Sequence, residues 1–148
     1  MLYDCKENLV LLNKEIDHLK NFTALNELQI EDRGTINFNT SSITNTKFYI
    51  APLILNVFIE NAFKHSLASQ SENIIIDINI NTSDKGLLTF NCKNNFHLSS
   101  NTNNLSKGIG LENVQKRLDL LYPKAHELKI TDNGSTFNVV LTMQLKLI

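Results

Sequence analysis

A period of two is the feature that most constrains this chain. In NIIIDINI, Ile74, Ile76, Ile78 and Ile80 alternate with Ile75, Asp77 and Asn79. LLTFNCK puts Leu88, Phe90 and Cys92 on one face, and the last segment alternates through Phe137, Val139, Leu141, Met143 and Leu145. Successive strand residues point to opposite faces, so each segment predicts a strand with one apolar and one more polar face. Ser83 to Gly86 predict the turn between the first two strands, and Asn133-Gly134 the tight turn between HELKITD and the last strand. A one-faced sheet must be covered on its apolar side.

Three helical patterns supply the cover. Asn13 suits the cap of a helix running to about Asp32, with Ile16, Leu19, Phe22 and Leu25 at helical spacing. Thr35 to Asn39 predict a short strand with Ile36 and Phe38 inward. PLILNVFIENAFKHSL, from Pro52 to Leu67, has proline at a favoured first helical position and is apolar nearly all round. GIGLENVQKRLDLLYP opens a third helix, striped by Leu111, Val114, Leu118 and Leu121 and stopped by Pro123. The order predicts an α/β two-layer sandwich: a mixed, mostly antiparallel sheet covered on one face by three helices.

Composition narrows the class. At 148 residues the chain is long enough for one domain with a core, and 42% hydrophobic residues suit a globular protein. A net charge of −1 gives no electrostatic reason to expect nucleic acid or direct membrane contact. Cys5 and Cys92 are far apart and form no CxxC, which predicts reduced thiols in a cytosolic setting. The apolar run from Phe48 to Leu55 is too short to span a bilayer. MLYDCKEN reads as the tail of an earlier helix, so residues 1–12 are expected to be helix end and linker, and 13–148 one domain.

The second helix carries polar residues that a core helix does not need. Asn56, Glu60 and Lys64 stack at i, i+4 and i+8, with Asn61 beside them. A narrow wet face explains this as well as a ligand does. In the ligand reading an Asn carbonyl suits Mg²⁺, a Lys meets phosphate, and Glu60 orients or deprotonates a hydroxyl or water. Gly108 and Gly110 precede the third helix, where free N–H groups attract anions, although a plain loop–helix junction accounts for them too. The polar, patternless stretch from Asn94 to Lys107 has the length of a functional lid.

In combination the motifs resemble the ATP-binding catalytic domain of sensor histidine kinases of the GHKL (Bergerat) fold, of the LytS/YehU type. IENAFKHS resembles the family's N-box, GIGLENVQKRLDLLYP its second glycine box, NGSTF its third, and KEIDHLKNFTALNEL its first helix. The resemblance implies ATP and Mg²⁺ as cofactors. Asn61 is then expected to coordinate Mg²⁺, and Glu60 to help activate the attacking imidazole or position water. Asn56 and Lys64 would line the phosphate side, and His65 the pocket edge. Lys107, Gly108, Ile109, Gly110 and Leu111 would face the phosphates, and Thr136 the adenine. In the first glycine box, CKNNFH places Asn94 where the family has an adenine-binding Asp, and Phe96 where it has a glycine. A neutral acceptor forms the weaker hydrogen bond, so reduced adenine affinity is expected.

The family's substrate histidine lies on a dimerisation helix upstream of MLYDCKEN, so this chain alone is not expected to autophosphorylate. The implied partners are that helix and a response-regulator receiver domain. A monomeric fragment, a homodimeric full-length kinase and a cytoplasmic position beneath a membrane anchor are expected. The alternative reading is a degenerate GHKL domain that binds nucleotide weakly or not at all and acts as a protein-interaction module.

Overall fold

Ile74, Ile76, Ile78 and Ile80 are fully buried along one strand, as their alternation requires. The computed structural model describes residues 9–40, 47–69, 73–96 and 109–147. In chain order the elements are β1 (Val10–Leu11), α1 (Leu12–Ile30), a 3-10 turn (Glu31–Arg33), β2 (Gly34–Asn39), β3 (Phe48–Ile50) and α2 (Leu55–Ser69). Then follow β4 (Ile74–Thr82), β5 (Leu87–Asn95), α3 (Ile109–Leu121), β6 (His126–Asp132), β7 (Thr136–Gln144) and β8 (Lys146–Leu147).

The main sheet has the order β2-β4-β5-β7-β6. The β2–β4 pair is parallel and the others are antiparallel, so the sheet is mixed and mostly antiparallel. A parallel pair needs a crossover, and the segment through β3 and α2 provides it. Register aligns the apolar rows: Ile78 faces Cys92, which faces Val139, and Ile80 faces Phe90, which faces Leu141. A one-residue slip would turn all of these to solvent, so burial itself specifies the register. The opposite face is polar, with Asn37 bonded to Asp77 (2.6 Å) and Asn91 to Asn138 (2.8 Å).

Helix α2 packs on β4 and β5, and α1 and α3 both contact α2. Its Leu55, Phe58, Ile59, Ala62 and Phe63 are buried, with Phe58 5.9 Å from Phe90 between ring centroids. Val114 and Leu118 of α3 are also buried. The two-layer α/β sandwich is therefore present, with three helices among the described residues.

Several sequence expectations are corrected. Helix α1 starts at Leu12, one residue before Asn13, and ends at Ile30 rather than near Asp32. Arg33 terminates it, its guanidinium donating to the carbonyls of Gln29 and Ile30. Leu25 is 64% exposed. Steps of three residues drift about 60° each around a helix, so Ile16 and Leu19 are buried whereas Thr23 and Ile30, not Leu25, continue the buried stripe. Residues 10–12, expected in a linker, form β1 and open α1; residues 1–8, Cys5 included, lie outside the described residues.

Helix α2 begins at Leu55, three residues after Pro52. Leu53 has φ = 63°, a left-handed conformation that no leucine adopts without support. Three side chains hold this turn. Tyr122 Oη accepts the Ala51 N–H (3.0 Å), Arg117 Nη1 donates to the Pro52 carbonyl (3.1 Å), and Glu15 Oε2 accepts the Leu53 N–H (3.1 Å). The turn thus ties α2 to both α1 and α3. A small second sheet, β1-β3-β8, was not anticipated, because strands of two or three residues show no period.

Candidate functional site

Helix α2 and the end of β5 meet at Ser66 and Asn94. Both are buried, at 0% and 1% exposure. Asn94 Nδ2 donates to Ser66 Oγ (3.2 Å) and to the carbonyl of Asn95 (3.2 Å), while Ser66 Oγ donates to that same carbonyl (2.7 Å). Asn94 Oδ1 is left buried with no hydrogen-bond partner among the described residues. Buried acceptors are nearly always satisfied, and one left open beside a cluster of polar side chains marks a place for a donor.

Aromatic rings build the wall beside it. His65 stacks on Phe96 at 4.4 Å between centroids and meets the edge of Phe137 at 5.1 Å. Burial lowers the His65 pKa, opposed by the charge of Asp132, so its ring is neutral at neutral pH. Phe96 donates its N–H to the Ser135 carbonyl (3.0 Å), which extends the β5–β7 pairing past Asn94. His65 is therefore buried between these two rings.

The rest of the α2 stripe runs from buried to wet. Asn56 is half-buried, and its Oδ1 has no hydrogen-bond partner among the described residues. Asn61 is half-buried. Glu60 and Lys64 are exposed and form an i, i+4 pair at 3.8 Å, a geometry worth little in solvent. One helix thus offers two amide side chains toward shallow or buried positions and a charged pair at its outer edge. Among the described residues no group of three or more His, Cys, Asp or Glu forms a metal cluster.

Other expected residues fall differently. Lys107 and Gly108, with most of the expected lid, lie outside the described residues. Ile109 and Gly110 open α3, and Leu111 is half-buried behind them. Thr136 pairs with Asn95, whereas Asn94 pairs with Phe137, so Thr136 and Asn94 face opposite sides of the sheet. Asn133-Gly134 forms the tight turn expected: Gly134 has φ = 93°, and Asn133 Oδ1 accepts the N–H groups of Ser135 and Thr136. Sequence reasoning missed Ser66, although it is the last letter of IENAFKHS; only its contact with Asn94 between the helix layer and the sheet brings it into the candidate site. Cys92 lies on the buried face beneath α2, where burial pushes its thiol up to about 12, so it is an inert core group.

Solved structures carry the same architecture. The catalytic domain of the histidine kinase ThkA superposes with a TM-score of 0.59 at 13% identity, covering 92% of this chain and 95% of that one. Acinetobacter baumannii histidine kinase AdeS gives 0.63 at 13% identity, covering 98% of this chain and 74% of its own. Full-length ShkA, solved in complex with AMPPNP, gives 0.64 at 14% identity, covering 95% of this chain and 32% of its own. The fold is that of a histidine kinase catalytic domain. In sequence, the chain is 26% identical over 153 aligned residues to the sensor histidine kinase/phosphatase LytS of Staphylococcus aureus strain MRSA252. That alignment covers 95% of this chain but 26% of LytS. The chain thus resembles the catalytic domain of a LytS-type kinase and spans about a quarter of such a protein. No protein-family model matches it.

Proposed function

We propose that this chain is the ATP-binding catalytic region of a two-component sensor histidine kinase. It would bind Mg²⁺-ATP and present the γ-phosphoryl group to a histidine on an upstream dimerisation helix, for relay to an aspartate of a response regulator. The observation that carries this reading is the open, buried Oδ1 of Asn94 at the end of β5. The N6 amino group of adenine is a donor of the kind that this acceptor lacks.

The donor set fits the cofactors. Mg²⁺ takes few protein oxygens and keeps several waters, so an amide oxygen from α2 suffices and the absence of an acidic cluster among the described residues is compatible with it. When bound, Mg²⁺ would neutralise phosphate charge. Asn61 would supply its protein oxygen, and Asn56 and Lys64 would line the phosphate side. Lys107, Gly108 and Gly110 would contact phosphate. Glu60 would orient the incoming imidazole. Thr136 would act from the sheet end rather than on Asn94's face. Such residues accelerate phosphoryl transfer by positioning and charge compensation, without a covalent enzyme intermediate. The intact kinase would be a membrane-anchored homodimer with this region in the cytoplasm. Among the described residues no helix is long and apolar enough to cross a membrane.

Calorimetric titration with ATP, with and without Mg²⁺, tests the reading. Magnesium-dependent binding that weakens at least tenfold in Asn61→Ala is the expected result, a factor that corresponds to about 1.4 kcal/mol. Equal affinity of both proteins would remove Asn61 from the metal site. A second reading rests on Phe96, whose ring packs on His65 where the family has a glycine. In that reading the domain holds nucleotide weakly and acts through protein contacts. Failure to bind at millimolar ATP would favour it.

A further inference from the structure

We infer that Ser66 decides which end of the Asn94 amide faces the ligand, and through it makes the site select 6-amino over 6-oxo purines. The inference rests on the nucleotide-binding reading above and adds a residue to it. An aspartate at this position would present oxygen whichever way it turned. An asparagine is two-faced: its carbonyl end accepts and its amide end donates. Something must choose between them.

The hydrogen-bond directions make the choice. The Asn95 carbonyl has no proton to give, so the group 3.2 Å from it on Asn94 must be the donor. Ser66 spends its hydroxyl proton on that carbonyl at 2.7 Å, which leaves Ser66 Oγ as an acceptor toward Asn94, also at 3.2 Å. Two acceptors therefore hold Nδ2, and Oδ1 is turned away as a bare acceptor. Turning the amide over would press oxygen against oxygen twice between two buried side chains. The arrangement welcomes an exocyclic amino group. It opposes a 6-oxo group, whose lone pairs would meet those of Oδ1. Ser66 is a positioning residue: it acts through Asn94.

Ser66→Ala removes one of the two acceptors and frees the Asn95 carbonyl from its second partner. The amide then turns more easily, and a 6-oxo purine can be met by its N–H₂ end. The experiment is titration of the full chain with Mg²⁺-ATP and with Mg²⁺-ITP, on wild type, Ser66→Ala, Asn94→Asp and the double variant, with circular dichroism confirming that each is folded. Wild type is expected to prefer ATP by about tenfold or more. Ser66→Ala should narrow that ratio by about fivefold, the factor expected of one hydrogen bond. In the Asn94→Asp background, where both carboxylate ends are oxygen, adding Ser66→Ala should leave the ratio unchanged; a double-mutant cycle of this form isolates the coupling. Asn94→Asp by itself should keep or raise the preference for ATP, and its loss there would overturn the inference without reference to Ser66→Ala. Equal weakening of ATP and ITP in Ser66→Ala would show a purely structural residue and would also overturn it. Wild type binding neither nucleotide would overturn the nucleotide reading, and this inference with it.

Discussion

Replacing Tyr122 by phenylalanine deletes one oxygen and tests the turn that launches the site helix. Tyr122 follows α3 directly, and its Oη accepts the Ala51 N–H at 3.0 Å. Both residues are buried, so phenylalanine keeps the ring packing and strands a backbone donor where water is excluded. An orphaned buried N–H costs about 1–3 kcal/mol, and we take about 2 kcal/mol as the expected loss. For a domain of this size that lowers the melting temperature by roughly 4–8 °C. The chain has no tryptophan, so urea unfolding is followed by far-ultraviolet circular dichroism. A lower midpoint with an unchanged slope is expected, because the surface exposed on unfolding hardly alters. A loss below about 0.5 kcal/mol would refute the reasoning, because it would mean that water reaches Ala51 and that the left-handed Leu53 is held by Glu15 and Arg117 alone.

Two further perturbations test the buried polar groups. Asn94→Asp loses two donor bonds and points a carboxylate at the Asn95 carbonyl, so at neutral pH it should cost about 2–3 kcal/mol. Burial raises such an acid's pKa, so the cost should shrink on acidification as it protonates; thermal melts that show the same penalty at acid and neutral pH would contradict this. Glu15 is buried, and burial raises its pKa above 4.5, opposed by the Leu53 N–H and the charges of His18 and Arg117. A raised acid pKa means that the folded state holds the proton more tightly, so the stabilisation from protonating Glu15 is full below about pH 4.5 and is lost as pH rises through the folded value. Glu15→Gln keeps the acceptor for Leu53 and removes the buried charge. It should be more stable than wild type above that value and equal to it below, as read from urea midpoints across pH, and a constant difference at every pH would be the contrary result.

The strands were legible because two-residue alternation is a local pattern that burial then reinforces. Each predicted inward residue of β4, β5 and β7 is buried, and the Asn133-Gly134 turn forms where glycine permits a positive φ. The candidate site was proposed from motifs alone: the α2 stripe and the Asn at the end of β5 stand out in the sequence, whereas the contacts among them do not. Thr136 could not be placed, since its face depends on register with β5, and register is a property of two strands. Leu25 was misplaced because a three-residue step imitates helical spacing while drifting off the buried side.

The sequence by itself determined that one-faced strands must lie under apolar helices and that amides, rather than a cluster of acids, would populate the α2 face. Both follow from which side chains water rejects, and that depends on residue type and period alone. Tertiary structure alone decided that Leu53 adopts a left-handed conformation, that β1, β3 and β8 pair, and that Asn94 presents oxygen rather than nitrogen. Those outcomes depend on groups far apart in the chain, as Glu15, Tyr122 and Arg117 converge on one turn and Ser66 meets Asn94 across the layers. A hydrogen bond has a direction, and until folding brings the donor and acceptor together there is no direction to read.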